Sequence, residues 1–422
     1  MKRLLAVLAS MAMVTLAAVT PAAAQTGLAV NPTAWASVTS QDPDQAHWSE
    51  YEPTWEGADV SVGRTDHGEV TRAFFELDVT AFAGKRVLDA NFVLYVRAHG
   101  ACGPDTEMWE TGRISSQTTW NDQPQWLREL STSPADCGVQ GWMISEAVKD
   151  AVARGDEVVT IGLKSADEST AGRYVFWTTP SVGNATGPGM SVRYNTVPDV
   201  PSGQAVTAGD CQAPPGGPYL RTTTPSFLAM LTDPDHGGNE IMRGRFEWAD
   251  AAGAKIGEAV TTEQTGDARH CVTVPAGQLA DGGSYTWRVR AENSYTVVGP
   301  GGYETYWDMG EWSAWQPELH IDQAPPANPP AISSADFPEN QVGGRVGQPG
   351  TFTLAPNGVT DVASYDYDFG RGFVPVRAGA DGTATVTFTP TNTFPQRLIA
   401  RSVDRAGNLG PTVTYAFRAA PR

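Results

Sequence analysis

The sequence predicts an all-β protein made of serial sandwiches, and three observations carry that expectation. Thirteen Trp, 12 Tyr and 14 Phe accompany 44 Gly and 31 Pro, the composition of many short strands joined by turns. Apolar residues alternate with the strand period: from Ala90 to Val96, Phe92, Leu94 and Val96 share one face while Val93 and Tyr95 share the other. Two proline-rich seams, Thr196 to Gly203 and Ala324 to Pro330, interrupt a chain of 422 residues that is too long for one ordinary core. The expected division is 1–24, 25–197, 198–325 and 326–422.

The first 24 residues read as a removable export signal. Met1-Lys2-Arg3 is a short positive segment, Leu4 to Val19 is an apolar run too short to span a membrane comfortably, and Ala22-Ala23-Ala24 before Gln25 is a small-residue cleavage site. The expected location is extracellular, with no membrane span.

Charge narrows the partners. Residues 25–197 hold 23 acidic and 12 basic side chains, 198–325 hold 17 and 7, and 326–422 hold 7 and 8. The net charges are −11, −10 and +1. Such a field opposes nucleic acid, anionic membrane and polyanionic glycans, because affinity for polyanions rests on Lys and Arg. Neutral glycans and cell-wall material stay open as partners.

Four cysteines in an exported chain predict disulfides. With the seam near Pro198 as a boundary, Cys102 pairs with Cys137 and Cys211 with Cys271. Each loop closure contributes roughly 4 kcal/mol on the loop-entropy model. A zinc site is not expected, since no CxxC occurs and neither His99 nor His270 has a set of four ligands around it.

Within residues 25–197, Arg72 to Asp78 and Ala90 to Val96 are rich in strand formers. Ser145 to Arg154 is the one expected helix, with Ser145 as its cap, Ala147, Val148, Ala151 and Val152 as its apolar stripe and Gly155 as its stop. Arg72 to Asp78, Val87 to Tyr95, Thr119-Trp120-Asn121-Asp122-Gln123-Pro124, Gly162 to Glu168 and Pro188 to Tyr194 together resemble a DNRLRE-type domain. That family occurs in secreted modular bacterial proteins, and some of its members are treated as carbohydrate-binding modules. The resemblance covers about residues 28–195 and implies a jelly-roll-like sandwich. His47 to Trp55 stands where such domains usually carry an Asn-Tyr-Gly pattern.

Residues 204–322 resemble fibronectin type III and related immunoglobulin-like sandwiches. Ser284 to Ala291 looks like their sixth strand, and Trp312-Ser313-Ala314-Trp315 resembles the Trp-Ser-x-Trp element of cytokine-receptor-like modules. The resemblance implies a structural stack in which Trp312 and Trp315 alternate with Arg288 and Arg290, each cation–π contact adding about 0.5–1 kcal/mol. Residues 331–422 resemble a bacterial Ig-like domain. Tyr365, Tyr367 and Phe369 alternate, as do Ala384, Val386 and Phe388 and then Val413, Tyr415 and Phe417, and Ala400 to Asn408 matches a closing strand and turn. The fold class is thus a jelly-roll-like sandwich followed by two immunoglobulin-like or fibronectin-like β-sandwiches.

No catalytic constellation stands out. GxSxG and HExxH are absent, the six His are scattered, and acid pairs such as Asp42 with Asp44 are expected by chance among 47 acids. The chain reads as a non-enzyme without cofactor or metal. Asp233, Asp235, Asn239 and Glu240 have the oxygens for Ca²⁺, but Asp-Pro and Gly-Gly there suit a turn. Aromatic residues carry the functional expectation, since Trp and Tyr faces stack on the C–H faces of sugars. Trp48, Tyr51 and Trp55 lie among Pro, Gly and acids, where a loop is expected. Tyr303, Tyr306 and Trp307, with Tyr295, lie in the segment Ser294 to Gly310, also read as a long loop. Both sets are candidate ligand contacts, while Trp120 reads as a buried ring before a turn. The expected function is binding of an extracellular glycan or cell-wall component through the first sandwich. The alternative is a structural or adhesive cell-surface protein whose Ig-like domains contact a protein partner.

Overall fold

A computed structural model describes residues 26–50, 59–99, 103–177, 188–235, 240–299 and 301–422. The chain separates into two compact units. The first comprises Met1–Thr196, Asn239–Ile241 and Ser294–Trp307, and the second Val197–Gly238, Met242–Asn293 and Asp308–Arg422. Strands dominate both, and among the described residues no helix is long and apolar enough to cross a membrane.

The first unit contains β1 (Thr26–Val30), β2 (Pro32–Thr39), β3 (His47–Glu50), β4 (Val60–Arg64), β5 (Val70–Asp78) and β6 (Arg86–His99). They are followed by β7 (Thr106–Thr111), β8 (Trp126–Ser133), β9 (Val139–Met143), helix α1 (Ser145–Arg154), β10 (Val158–Ser165), β11 (Gly172–Phe176) and β12 (Gly189–Asn195). One layer runs β1-β12-β6-β9, and the other β3-β2-β5-β10-β7-β8. Hydrogen bonding of β4 with β5 and β11, and of β11 with β6, closes one side. The result is the two-layered sandwich that the alternating strands predict.

Strand periodicity builds its core. Ala73, Phe75 and Leu77 of β5, Phe92 and Leu94 of β6, and Val159, Ile161 and Leu163 of β10 all point inward and are buried. Helix α1 adds Ala147, Val148 and Ala151 to the same core. It stops at Gly155, whose φ of 78° is a left-handed cap that suits glycine. The start differs from expectation. Ser145 does not cap the helix; its hydroxyl bonds the backbone N–H and C=O of Ala90 and so fastens the helix to β6.

The second unit holds two further cores. In one, the strands Ser202–Thr207, Ser226–Leu231 and Ala268–Thr273 face a sheet that includes Ile241–Asp250, Lys255–Val260 and Ser284–Gly299. Phe227, Phe246, Trp248 and Trp287 fill the space between them, with Phe227 and Trp287 stacked at 4.6 Å. The Cys211–Cys271 disulfide closes a 60-residue separation there. Cys102 lies outside the described residues, and with it the Cys102–Cys137 pairing. In the other core, Phe337, Phe352, Tyr365, Tyr415 and Phe417 pack between the strand set of Ala331–Ser333, Gly350–Ala355 and Ala384–Phe388 and a five-stranded sheet.

His270 makes the second unit acid-sensitive. Its ring is fully buried, and Thr261 Oγ1 lies 2.7 Å from Nδ1 after accepting the Gly244 N–H. Gln264 Nε2 faces the same nitrogen at 3.5 Å. The direction of the Thr261–Nδ1 bond follows the ring's tautomer, and Nε2 is buried without a hydrogen-bond partner among the described residues. Burial holds the pKa below the ordinary value of 6.5. The unfolded chain therefore takes up this proton first, and stability falls as pH drops below about 6.5, with no such contribution above it. Melting curves of the full chain should show a smaller decline between about pH 7 and pH 5 for His270→Asn than for the wild type. Identical slopes would remove His270 as a source of the decline.

Candidate functional site

The face of the first unit turned away from its core is unusually aromatic. On β5, Arg72, Phe74 and Glu76 alternate with the core residues and emerge on this face; on β10, Thr160, Gly162 and Lys164 do the same. Backbone register places Gly162 between Phe74 of β5 and Trp109 of β7, and Lys164 beside Glu107. Trp126 opens edge strand β8 opposite Thr111.

Gly162 explains how Trp126 is seated. A Cβ at this position would lie 2.8 Å from Thr111 Cγ2, 2.9 Å from Trp126 Cζ3 and 3.0 Å from Phe74 Cδ1. The indole thus rests across bare backbone. Its ring lies 5.1 Å from Phe74 and meets Trp109 edge-on at 6.2 Å and 85°. Beneath these rings Ala36, Val38, Phe74 and Ile114 form a small second core, against which Trp48, Trp120 and Trp126 pack half-buried.

Two cations bridge the rings. Lys164 Nζ sits 4.4 Å from the centroid of Trp109 and 5.3 Å from that of Trp126. Arg72 Cζ sits 4.7 Å from Trp120 and 5.7 Å from Trp126. The order is therefore Trp109, Lys164, Trp126, Arg72, Trp120. Each cation is also held by a carboxylate. Lys164 pairs with Glu107 at 3.3 Å, and Arg72 bonds both oxygens of Glu168 at 2.7 and 2.8 Å while donating to Gln123. Glu107 additionally accepts the Trp109 indole N–H at 3.0 Å. Half-buried indoles beside fixed donors and acceptors can bind a ligand that has apolar C–H faces and many hydroxyls.

The expected site residues fall in different places. Trp48 is not on a loop: it lies in β3, paired with Ala36 of β2, and packs on the second core. The flanking Pro and acids hid a short edge strand. Tyr51 and Trp55 lie outside the described residues. The segment Ser294 to Gly310 is not a loop either. Strand Ser284–Gly299 continues through it and pairs with Gly302–Met309. On this hairpin Tyr295 and Tyr306 stack at 5.7 Å, Tyr306 donates to Glu304, Tyr303 is 71% exposed, and Trp307 is half-buried.

In the second unit the structure brings Arg288, Arg290, Trp312 and Trp315 together. Arg290 lies 4.8 Å from Trp312, and Arg288 lies 4.6 Å from Trp312 and 4.5 Å from Trp315. Glu247 holds Arg288, and Glu292 holds Arg290. Asp233, Asp235 and Glu240 are buried, Asp233 accepts the Asp235 backbone N–H and the Asn293 side-chain amide, and Asn239 lies outside the described residues. Asp322, Asp361 and Asp404 hold carboxylate oxygens within 4.8 Å of one another. Asn408 donates to Asp404 from both its backbone and its side chain, which fixes the turn between them.

Trp109 and Trp126 are not among the residues that the sequence singles out, and Trp120, expected as a buried ring, is half-buried on the second core. The available signal was Gly162, a lone glycine inside a strand of β-formers, where backbone and a neighbouring group often approach closely.

No protein-family model and no curated protein matches the chain. Among solved structures, a glycosyl hydrolase family 2 member from Bacteroides cellulosilyticus is similar at 12% identity and a TM-score of 0.21, covering 80% of this chain and 39% of its own. The apo β-glucuronidase from Ruminococcus gnavus is similar at 9% identity and 0.20, with coverages of 74% and 46%. Red sea bream transglutaminase gives 7% and 0.18, with coverages of 52% and 31%. The chain spans less than half the length of each of these proteins. At these scores the likeness carries no argument about activity.

Proposed function

We propose that this is a secreted, non-catalytic protein that binds extracellular carbohydrate on the tryptophan face of its first unit. The observation that carries the reading is the alternation of Trp109, Lys164, Trp126, Arg72 and Trp120 across one sheet, with every cation anchored by a carboxylate. Sugar binding needs that pairing of ring faces with fixed hydrogen-bonding groups. Export is supported by the leader-like first 24 residues, and the Cys211–Cys271 disulfide suits an oxidising compartment.

A glycan-array screen of the full chain, followed by titration calorimetry on the best neutral ligand, tests the reading. Trp126→Ala should lose about 1–3 kcal/mol of binding, the loss typical of an aromatic anchor, while the melting temperature of the second unit stays unchanged. Undiminished affinity would remove this face as the site. One observation favours a second reading, adhesion to a protein. The hairpin exposes Val298 and Tyr303 at 68% and 71%, and among the described strands Gly302–Met309 pairs only with Ser284–Gly299. Capture of a protein ligand that Tyr303→Ser abolishes, without any glycan binding, would favour it.

A further inference from the structure

A cavity of about 400 Å³ adjoins the tryptophan face, at the end of the sheet where β7 finishes and β8 and β10 begin. Thr111, Arg113, Leu127, Arg154, Glu157 and Thr160 contribute to its wall. Strand register sets the two features side by side. Thr111 lies opposite Trp126 in the β7–β8 ladder, and Thr160 stands two residues from Gly162 on the same face of β10. The volume falls within the range of small-ligand sites, about 300–1,000 Å³.

Both guanidiniums on its wall are paired before any ligand arrives. Arg113 grips the buried Glu76 with Nε at 2.6 Å and Nη2 at 3.1 Å, which leaves Nη1 to donate outward. Arg154 holds Asp156 at 2.8 Å and lies 3.7 Å from Glu110. On the adjoining face Arg72 and Lys164 are likewise committed to Glu168 and Glu107. An anionic sugar would face the carboxylates of Glu110, Asp156 and Glu157 on the cavity wall. A neutral sugar meets no such repulsion: its hydroxyls accept from a guanidinium and donate to a carboxylate while the pairs stay intact. The exposed Leu127 supplies an apolar wall for a C–H face.

Resting on the carbohydrate-binding reading above, we infer that the ligand is a neutral oligosaccharide of at least two sugars. One is stacked at Trp109 and Trp126, and the next is seated in the cavity between the Arg113–Glu76 and Arg154–Asp156 pairs. This commits the site to a linear neutral glycan and excludes uronates and sulfated sugars.

The test is calorimetric titration of the full chain with neutral tetrasaccharides (cellotetraose, xylotetraose, mannotetraose), their monosaccharides and a tetra-uronate. Variants Arg154→Ala and Glu157→Ala change exposed cavity residues, and thermal melts confirm that each still folds. The wild type should bind one neutral tetrasaccharide at least about tenfold more tightly than its monosaccharide, with little change on raising salt, since exposed charges are neither gained nor neutralised. Each cavity variant should lose about tenfold for the tetrasaccharide and nothing for the monosaccharide. Cavity variants with wild-type tetrasaccharide affinity, in a protein whose binding Trp126→Ala still destroys, would overturn the cavity subsite and leave the tryptophan face standing. Tighter binding of the tetra-uronate would overturn the neutral assignment. Failure of the wild type to bind any sugar would overturn the carbohydrate reading itself.

Discussion

Replacing Glu292 with Gln is expected to destabilise the second unit by about 3–5 kcal/mol, the cost of removing one partner from a buried ion pair. Glu292 has no exposed side-chain surface, and three guanidiniums converge on it. Arg243 Nε donates at 2.8 Å, Arg245 Nε at 2.7 Å and Arg290 at 3.2 Å. Arg290 also forms the end of the stack with Trp312, so the carboxylate aligns that end of the ladder. Burial opposes ionisation of Glu292, but the bonds from Arg245 and Arg243 outweigh it and hold the pKa below the ordinary value. The unfolded chain consequently binds the proton first. The contribution is intact above about pH 4.5 and is lost as pH falls through the folded pKa. Thermal melts of wild type and variant should differ by about 6–20 °C in the matching transition at pH 7, and should converge in acid. A difference below about 1 kcal/mol at neutral pH would show that the convergence is no more than surface pairing.

Gly162→Val should unseat Trp126. The added atoms meet Thr111, Trp126 and Phe74 at or inside 3.0 Å, and the two ring neighbours are held by the second core. Overpacking of this kind costs about 1–3 kcal/mol of stability. Displacement of the indole should also reduce glycan affinity at least as far as Trp126→Ala does. A double-mutant cycle separates the two effects: Gly162→Ala should weaken binding in the wild type and have little further effect in a Trp126→Ala background. Additive losses would mean that Gly162 does not act through this indole.

Much of the fold is legible in local pattern. Phe92 and Leu94 alternate with residues of the opposite face, Gly155 follows the apolar stripe of α1, and Tyr365, Tyr415 and Phe417 sit at strand-periodic positions in their core. The period of a strand is local, and a local property can be read from neighbours. The tryptophan face is different. Trp109, Trp126 and Lys164 belong to separate strands and meet only through the β8-β7-β10 order, which no local pattern specifies. Trp48 misleads because Pro53 and nearby acids resemble a loop, although His47–Glu50 pairs with β2. The hairpin at Ser294 to Gly310 was readable in principle. Its Thr, Val, Tyr and Trp residues are strong strand formers. Charge misleads in the same way. A net −11 over residues 25–197 describes the whole surface, whereas the site depends on which acids stand beside Arg72, Lys164 and Arg113.

The central claim is where carbohydrate sits, and a crystal structure of the full chain with a bound neutral tetrasaccharide tests it most directly. The account predicts one sugar ring over Trp109 and Trp126, between Lys164 and Arg72, and the next in the cavity beside Arg113 and Arg154. A sugar bound instead against Tyr303 and Tyr306 of the hairpin, or against Trp312 and Trp315, with the tryptophan face bare, would contradict it.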